Sequence, residues 1–217
     1  MPVTPSKKVD LNQIRVVAFD CDGVMFDTQK ANRAYYDRML AAFHMAPMTD
    51  DQFHYVQQHT VHRSIEHIFP DPVMREQAMK KRETLSYFSF IKDMEIEPGL
   101  VDLLQHLKPK FHTAIATNRS NTMNAVLETH GLSSYFEMVV TALDVAHAKP
   151  APDQLHKVRD RFDVASREIF YIGDSELDAQ AAASADVVFA AFRNRDLKAD
   201  FHLDRMDQVH GLLNLAA

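Results

Sequence analysis

Hydrophobic and polar positions follow two different periods along the chain. From about Lys30 to Ile91 apolar residues recur with helical spacing, strand signal is weak and glycine is absent. About four consecutive helices are predicted over this stretch, the last of them running towards Ile91. Prolines are expected to end helices near Ala46–Pro47 and Phe69–Pro70, because proline cannot continue a helix. Asp71 followed by Pro72 is typical of a helix start.

Beyond Gly99, short apolar runs alternate with helical segments. The predicted strands are 111–118, 136–143, 168–174, 186–192 and 200–204, and the predicted helices between them are 99–108, 122–130, 152–162 and 176–185, with one more at the end. Such alternation predicts right-handed crossovers and a parallel sheet flanked by helices. The run "IRVVAF" at 14–19 is apolar throughout, as a strand buried on both faces should be, and is assigned to the same sheet.

The fold class is therefore α/β, with an all-helical segment inserted after the first strand. We predict a core made of 1–27 and 97–217, in which 1–12 is a loose tail, and a helical insertion of 28–96. The stretch before the first strand is polar and contains prolines, and it lacks the apolar centre of a signal peptide, so it is not expected to be one.

Composition excludes several function classes. The chain has 217 residues, 25% of them charged, and a net charge of -6, which disfavours binding to nucleic acid or to anionic membranes. No apolar stretch approaches the roughly 20 residues of a membrane-spanning helix. Cys21 is the only cysteine, so an intramolecular disulfide is excluded, and a cytoplasmic location is expected.

Polar residues follow the predicted strands in an ordered set. Ligands of open parallel sheets bind at the carboxyl ends of the strands, so residues at these positions are the candidates for chemistry. They are Asp20, Asp22 and Gly23 after the first strand, Thr117, Asn118 and Arg119 after the second, Lys149 after the third, and Gly173, Asp174, Ser175 and Asp178 after the fourth. A single aspartate after a strand is usually a turn or cap residue, but the ordered set points to a shared site.

The order of these motifs, DxDGV, then T-N, then K-P, then GDSELD, resembles the haloacid dehalogenase superfamily of phosphohydrolases. The resemblance covers nearly all of the chain beyond the first dozen residues. Its layout is similar to the branch of phosphoglycolate phosphatase and β-phosphoglucomutase. The resemblance implies a Rossmann-like core, and it places the helical insertion where that family carries a cap domain.

The resemblance also implies roles for the acidic residues. Asp20 would attack phosphorus to give an aspartyl-phosphate, and Asp22 would protonate the leaving oxygen and then activate water. One Mg²⁺ would be held by the Asp20 side chain, the Asp22 backbone carbonyl and Asp174. Such an ion would offset the repulsion between a carboxylate and an anionic phosphate ester.

Five further residues complete the set that the resemblance implies. Thr117 and the backbone of Asn118 would bind the phosphoryl oxygens, and Lys149 would supply positive charge. Asp178 and Ser175 would support the metal site from outside.

Cys21 and a group of histidines offer competing interpretations. Cys21 is expected to point away from Asp20 and Asp22 into the core, because side chains alternate along an extended segment. In "HTVHRSIEH", His59, His62 and Arg63 are possible substrate contacts from the cap, although a solvated helix face is the simpler explanation. A zinc site there would need spacing unlike that of a zinc finger and has no second cysteine.

The predicted function is a Mg²⁺-dependent phosphatase acting on a small phosphorylated metabolite, as a monomer or homodimer. A sugar-phosphate mutase is the main alternative, but such mutases carry a hinge histidine where this chain has Asn32. A true haloacid dehalogenase would leave Asp22 and Asp174 without a role. A non-catalytic binding module is disfavoured because the motif residues are intact. The sequence does not choose among phosphoglycolate, a hexose phosphate and a nucleoside monophosphate as substrate.

Overall fold

A helical segment interrupts the part of the chain that forms the sheet. The computed structural model describes residues 9–58 and 61–215. Thr28–Glu95 forms one unit, called here the helical unit. The chain up to Asp27 and from Ile96 onward forms a second unit, called here the sheet unit.

The strands are short and mostly parallel. They are Val16–Phe19 (β1), Phe26–Asp27 (β2), Glu95–Ile96 (β3), His112–Ala116 (β4), Met138–Val140 (β5), Ile169–Gly173 (β6), Val188–Phe192 (β7) and Phe201–Leu203 (β8). Six of them form one sheet in the order β5-β4-β1-β6-β7-β8, in which every described pairing is parallel. The strands β2 and β3 pair with each other in a separate two-stranded sheet.

The helices follow the pattern of the sequence closely in the sheet unit. They are Gln29–Ala42 (α1), Asp50–Gln58 (α2), Val61–Ile68 (α3), Pro72–Thr84 (α4), Leu100–Leu107 (α5), Met123–Thr129 (α6), Asp153–Phe162 (α7), Glu176–Ala185 (α8) and Gln208–Leu212 (α9). No helix in the described ranges is both long and apolar enough to span a bilayer.

The first strand lies inside the sheet and not at an edge. All four residues of β1 are buried, and Phe19 lies level with Ile115 of β4 on one side and with Ile172 of β6 on the other. The chain order runs outward from β1 in both directions, so β1 and its neighbours lie at the point where the strand order reverses. Ligands of open α/β sheets bind in the crevice at that point. The predicted α/β, Rossmann-like class is confirmed.

Regular apolar spacing explains how helices cover the sheet unit. Leu100, Leu103, Leu104 and Leu107 recur at helical spacing on α5, and all four are fully buried. A second buried cluster combines alanines of β1 and β4 with Tyr171 of β6 and with alanines of α8. Small residues on neighbouring strands leave room for the large Tyr171 side chain.

Two helix ends in the helical unit differ from the prediction. The first helix, α1, ends at Ala42 and not near Ala46–Pro47, because the chain turns at His44, which has a φ of 56°. The helix α4 begins as predicted, with the Asp71 side chain accepting a hydrogen bond from the Met74 amide at 2.8 Å. It stops at Thr84, and Tyr87–Asp93 forms a separate 3₁₀ helix in place of a continuous helix to Ile91.

Candidate active site

The loop after β1 carries one buried acid and one partly exposed acid, separated by a single residue. Asp20 is buried and its amide still donates to the Ile172 carbonyl, so it continues the sheet. Cys21 is fully buried, as expected, and Asp22 is partly exposed. The chain then turns at Gly23, whose φ is 80°.

The loop after β6 and the first turn of α8 bring two more acids to the same edge. A Cβ on Gly23 would lie 2.0 Å from Oδ2 of Asp174, so the two acidic loops are in close contact there. A Cβ on Gly173 would lie 2.5 Å from the Cβ of Asp178, so Asp178 packs directly on the strand. One carboxylate oxygen each from Asp20, Asp174 and Asp178 lies within 4.8 Å of the others.

The start of α8 fixes the orientation of Asp178. Ser175 is the N-cap, and its hydroxyl accepts from the Asp178 amide at 3.3 Å. The Asp178 carboxylate accepts in return from the Ser175 amide at 3.0 Å and from the Ser175 hydroxyl at 2.5 Å. This reciprocal arrangement is a capping box, and it turns one carboxylate edge towards the helix end.

The Lys149 ammonium group joins four segments: the loop after β1, the strands β4 and β6, and the helix α8. Its Nζ lies 2.8 Å from Oδ1 of Asp20, 2.6 Å from Oδ1 of Asp178, 3.0 Å from the Ala116 carbonyl and 2.9 Å from the Tyr171 hydroxyl. The lysine side chain is only 2% exposed. Its charge therefore acts on the acids at the ends of β1 and β6 in a poorly solvated environment.

Tyr171 is a site residue that the motif analysis missed. Its hydroxyl lies 2.6 Å from Oδ1 of Asp178 and 3.0 Å from the Ala116 carbonyl, and the residue is fully buried. Strand alternation was the available signal, since Tyr171 lies two residues before Gly173 and so faces the same side. Because Tyr171 lies within the apolar run of β6, its side chain was interpreted as part of the hydrophobic core.

The loop after β4 is held to the segment that carries Lys149. The Asn118 side chain donates to the Lys149 carbonyl at 2.9 Å and accepts from the Lys149 amide at 3.0 Å. Gln154 is buried and donates to the Thr117 carbonyl at 2.6 Å. The Thr117 hydroxyl accepts from the Arg119 amide at 3.2 Å. Thr117 is buried beside these contacts, and its hydroxyl keeps further hydrogen-bonding capacity.

Arg119 is paired with the second acid of the DxD motif. Its Nε donates to Oδ2 of Asp22 at 3.2 Å, and a terminal nitrogen donates to Oδ1 of the same carboxylate. Another terminal nitrogen donates to the Thr122 hydroxyl at 3.1 Å. The forked pairing fixes the plane of the Asp22 carboxylate. Sequence reasoning placed Arg119 at a strand end without a role, because its partner lies 97 positions away.

Burial and mutual repulsion shift the pKa values of the clustered acids. Burial raises the pKa of Asp20 to about 6, although Lys149 opposes the shift. Burial, reinforced by the charges of Asp20 and Asp178, raises the pKa of Asp174 to about 8. Burial also acts on Asp178, but its bonds to Lys149, Ser175 and Tyr171 outweigh it and lower the pKa of Asp178.

This charge balance suits a divalent cation. Three neighbouring carboxylates lie beside a single ammonium group, which contacts two of them, so full ionisation leaves an excess of negative charge in a buried place. Carboxylate oxygens are the ligands that Mg²⁺ prefers. Asp20 and Asp174 could hold such an ion, while Asp178 is engaged by Lys149 and by the start of α8.

The histidines singled out in the helical unit do not form a cluster with acids within the described ranges. His62 and Arg63 are exposed on α3, and His59 lies outside the described residues. His67 stacks on Tyr55, with ring centroids 4.0 Å apart. Substrate contact by His59, His62 or Arg63 stays a prediction.

Fold and site together define a class: an α/β protein with a doubly wound parallel sheet and an acidic site at the carboxyl ends of its strands. The sequence model of the haloacid dehalogenase-like hydrolase family matches residues 17–192. The chain therefore belongs to the haloacid dehalogenase-like hydrolase family, and the predicted family is confirmed.

Known relatives agree with this assignment. A solved structure from Geobacter sulfurreducens PCA, described as a HAD-superfamily hydrolase of subfamily IA, is similar with a TM-score of 0.86 and 33% identity over 93% of this chain and 97% of that one. A phosphoglycolate phosphatase of Rhodobacter capsulatus is 29% identical over 80% of this chain and 82% of its own length. The pyrophosphatase PpaX of Oceanobacillus iheyensis is 22% identical over 82% of this chain and 83% of its own length. Together they support a phosphatase activity.

Proposed function

We propose that the chain is a Mg²⁺-dependent phosphatase that hydrolyses a small phosphorylated metabolite through an aspartyl-phosphate on Asp20. The observation that carries the proposal is a cluster of three acids beside one lysine: Asp20 and Asp178 both contact the Lys149 ammonium group, and a carboxylate oxygen of Asp174 lies within 4.8 Å of theirs. A phosphatase with a carboxylate nucleophile needs positive charge beside that nucleophile, since its substrate is already anionic.

In the first half of the reaction, an oxygen of Asp20 forms a bond to phosphorus while the bond from phosphorus to the ester oxygen breaks. Asp22 gives a proton to the departing oxygen, so that an alcohol leaves. Lys149 holds the nucleophile through Oδ1 of Asp20. Thr117 and the amide of Asn118 bind the phosphoryl oxygens at the end of β4.

In the second half, water attacks phosphorus and Asp22 takes a proton from it. The bond between phosphorus and Asp20 breaks, which releases inorganic phosphate and restores the carboxylate. When bound to Asp20, the Asp22 carbonyl and Asp174, Mg²⁺ would supply positive charge that offsets the negative charge of phosphate and acids. Ser175 and Asp178 would not bind the ion themselves. Asp178 contacts Lys149, and Ser175 orients the Asp178 carboxylate.

The helical unit, 28–95, is proposed to be a cap that selects the substrate, with His59, His62 or Arg63 as the candidates for substrate contact. A mutase activity is not favoured by the residue at the hinge position. Asn32 is engaged within the helical unit, where its amide donates to the Thr28 hydroxyl at 3.2 Å and accepts from the Tyr87 hydroxyl at 2.7 Å.

Replacing the nucleophile tests the proposal directly. The Asp20→Asn variant should lose at least about a thousandfold in turnover of p-nitrophenyl phosphate, because an amide oxygen is a poor nucleophile. Wild-type protein quenched in acid during turnover should carry one phosphoryl group on the peptide that contains Asp20. EDTA should abolish turnover and added Mg²⁺ should restore it.

A matched control is Asp160→Asn, which changes an exposed aspartate that pairs with its neighbour Arg159. This variant should keep wild-type turnover. Normal activity in Asp20→Asn, or a phosphoryl group on any other residue, would show that Asp20 is not the nucleophile. Activity that is indifferent to chelation would remove the magnesium part of the proposal.

A further inference from the structure

A second group of metal-ligating side chains lies away from the DxD and GDSELD motifs, in the sheet unit. Asp102 and His106 are four residues apart on α5, so their side chains share one face of that helix. His210 belongs to α9 and meets them there. One ligand atom from each of the three residues lies within 4.8 Å of the other two.

The contacts within this group are short but incompletely satisfied. Nε2 of His210 lies 3.3 Å from Oδ2 of Asp102, and Nδ1 of His106 lies 3.7 Å from Oδ1 of the same carboxylate. Nδ1 of His106 also lies 2.8 Å from the Asp102 carbonyl. The two imidazole rings are 4.9 Å apart at an angle of 68°. Two imidazoles are therefore gathered around one carboxylate.

The ring nitrogen of His210 that faces the carboxylate needs a partner. Its Nε2 is buried and makes no hydrogen bond to any residue of the described ranges, because its approach to Asp102 lacks hydrogen-bond geometry. Buried polar atoms without a partner are rare, and a bound ion is one established explanation. A metal ion between His210 and Asp102 would use the lone pair of this nitrogen.

The donor set and spacing favour a transition metal over magnesium. Imidazole nitrogen suits zinc and its neighbours, whereas Mg²⁺ takes oxygen ligands. Zinc bonds of about 2.0 to 2.2 Å in a tetrahedron put two ligand atoms roughly 3.4 Å apart. The 3.3 Å between His210 and Asp102 fits that separation. The Asp102 and His106 side chains are 64% and 32% exposed, so small rotations would close the longer distances, and for His106 such a rotation would replace the contact of Nδ1 with the Asp102 carbonyl.

We propose that Asp102, His106 and His210 bind one divalent transition-metal ion, zinc foremost, through one carboxylate oxygen and two imidazole nitrogens, with water completing the shell. Such an ion would join α5 to α9 near the end of the chain. The proposal is independent of the phosphatase activity, since none of the three residues belongs to the catalytic set.

The decisive measurement observes the histidine rings themselves. Full-length protein without an affinity tag, stripped of metal and held in saturating Mg²⁺, is titrated with Zn²⁺ while ¹H–¹⁵N spectra record the ring nitrogens of the 12 histidines. One equivalent of Zn²⁺ should shift the ring signals of His106 and His210 together. Binding of Zn²⁺ without a shift in the ring signals of His106 and His210, or no binding of Zn²⁺ at all, would overturn the proposal.

Variants then test the assignment by affinity. His106→Asn and His210→Asn should each weaken zinc binding at least tenfold by calorimetry, since the loss of one of three protein ligands removes much of the chelate. His147→Asn is the matched control, because His147 lies 3.2 Å from a single carboxylate, that of Asp153, and is 77% exposed. It should bind zinc as the wild type does. Wild-type affinity in both His106→Asn and His210→Asn would refute the site.

Measurements of turnover and folding distinguish a loss of zinc binding from damage to the active site or to the fold. His106→Asn and His210→Asn should hydrolyse p-nitrophenyl phosphate in Mg²⁺ at the wild-type rate, and circular dichroism should confirm that they fold. Zinc should also raise the Tm of the wild type more than that of either variant, because a ligand that binds only the native state stabilises it. If a variant fails to fold, the ring shifts of the wild type still decide the question.

Discussion

Gly23 is the residue at which the two acidic loops come closest. A Cβ there would lie 2.0 Å from Oδ2 of Asp174, so any larger residue must displace that carboxylate. Its φ of 80° adds backbone strain for a residue with a side chain. Two physical effects, strain and displacement, are therefore combined at one position, and a second glycine of this chain allows them to be separated.

The Gly23→Ala variant is expected to lose at least about tenfold in turnover and in apparent affinity for Mg²⁺, because the displaced carboxylate belongs to the proposed metal site. Gly131→Ala is the control, since Gly131 has a φ of 69° but no described atom within 4 Å of the added Cβ. Both variants should lose about 1 kcal/mol of unfolding free energy from strain. Equal turnover in the two variants would argue against a functional role for the Asp174 position.

Single residues also show what the motifs could not reveal. Asp20, Lys149 and Asp174 were found because each follows a predicted strand. Arg119 also follows a predicted strand, but its role was not predicted because its partner lies far along the chain, and Tyr171 was missed because it lies inside an apolar run. The pairing of Arg119 with Asp22 depends on how two loops meet, which spacing along the sequence does not encode.

At the scale of elements, agreement depended on how strongly a local rule fixed each boundary. The helix α8 spans Glu176–Ala185 as predicted, because a capping serine precedes it and alanines fill it. The first helix of the helical unit ends at Ala42, four residues before the predicted position near Ala46, since the chain turns at His44. This end was not predicted because the turn contains no proline or glycine. Pro47 marked where helix is impossible, which is only an outer bound.

The cap of α8 links an element boundary to the site. Ser175→Ala removes the hydroxyl that accepts from the Asp178 amide and donates to the Asp178 carboxylate. Loss of an N-cap should cost about 1 kcal/mol of unfolding free energy. Because the same hydroxyl orients Asp178 beside Lys149, the concentration of Mg²⁺ that gives half-maximal turnover should also rise several-fold, measured with p-nitrophenyl phosphate.

The control is another helix start. Asp71→Ala removes the cap of α4 in the helical unit, where the side chain accepts from the Met74 amide at 2.8 Å. It should cost a similar unfolding free energy and leave the Mg²⁺ requirement unchanged. The opposite result, with Asp71→Ala shifting the Mg²⁺ requirement and Ser175→Ala not, would contradict the coupling of the α8 cap to the site.

For the whole molecule, the acidic site makes stability depend on pH and on metal. A carboxyl whose pKa is higher in the folded state binds its proton more tightly there, so it favours folding when protonated. That advantage is complete below the ordinary pKa of 3.8 and disappears as pH rises through the folded-state value, about 6 for Asp20 and about 8 for Asp174. Lys149 has a raised pKa and so contributes a change only in alkaline solution.

Metal-free protein is therefore expected to lose stability between pH 5 and pH 8, with Asp174 alone contributing up to about 1.4 kcal/mol per pH unit. Urea unfolding followed by circular dichroism suits this chain, which has no tryptophan. Asp174→Asn, which cannot titrate, should flatten the slope. Mg²⁺ should stabilise the wild type more at pH 8 than at pH 5, because it competes with the proton for the same carboxylate. An unchanged slope in Asp174→Asn would mean that the Asp174 carboxylate of the wild type is already ionised at pH 5. The protein would then tolerate the excess negative charge without a cation, which would contradict the proposed reason for metal binding.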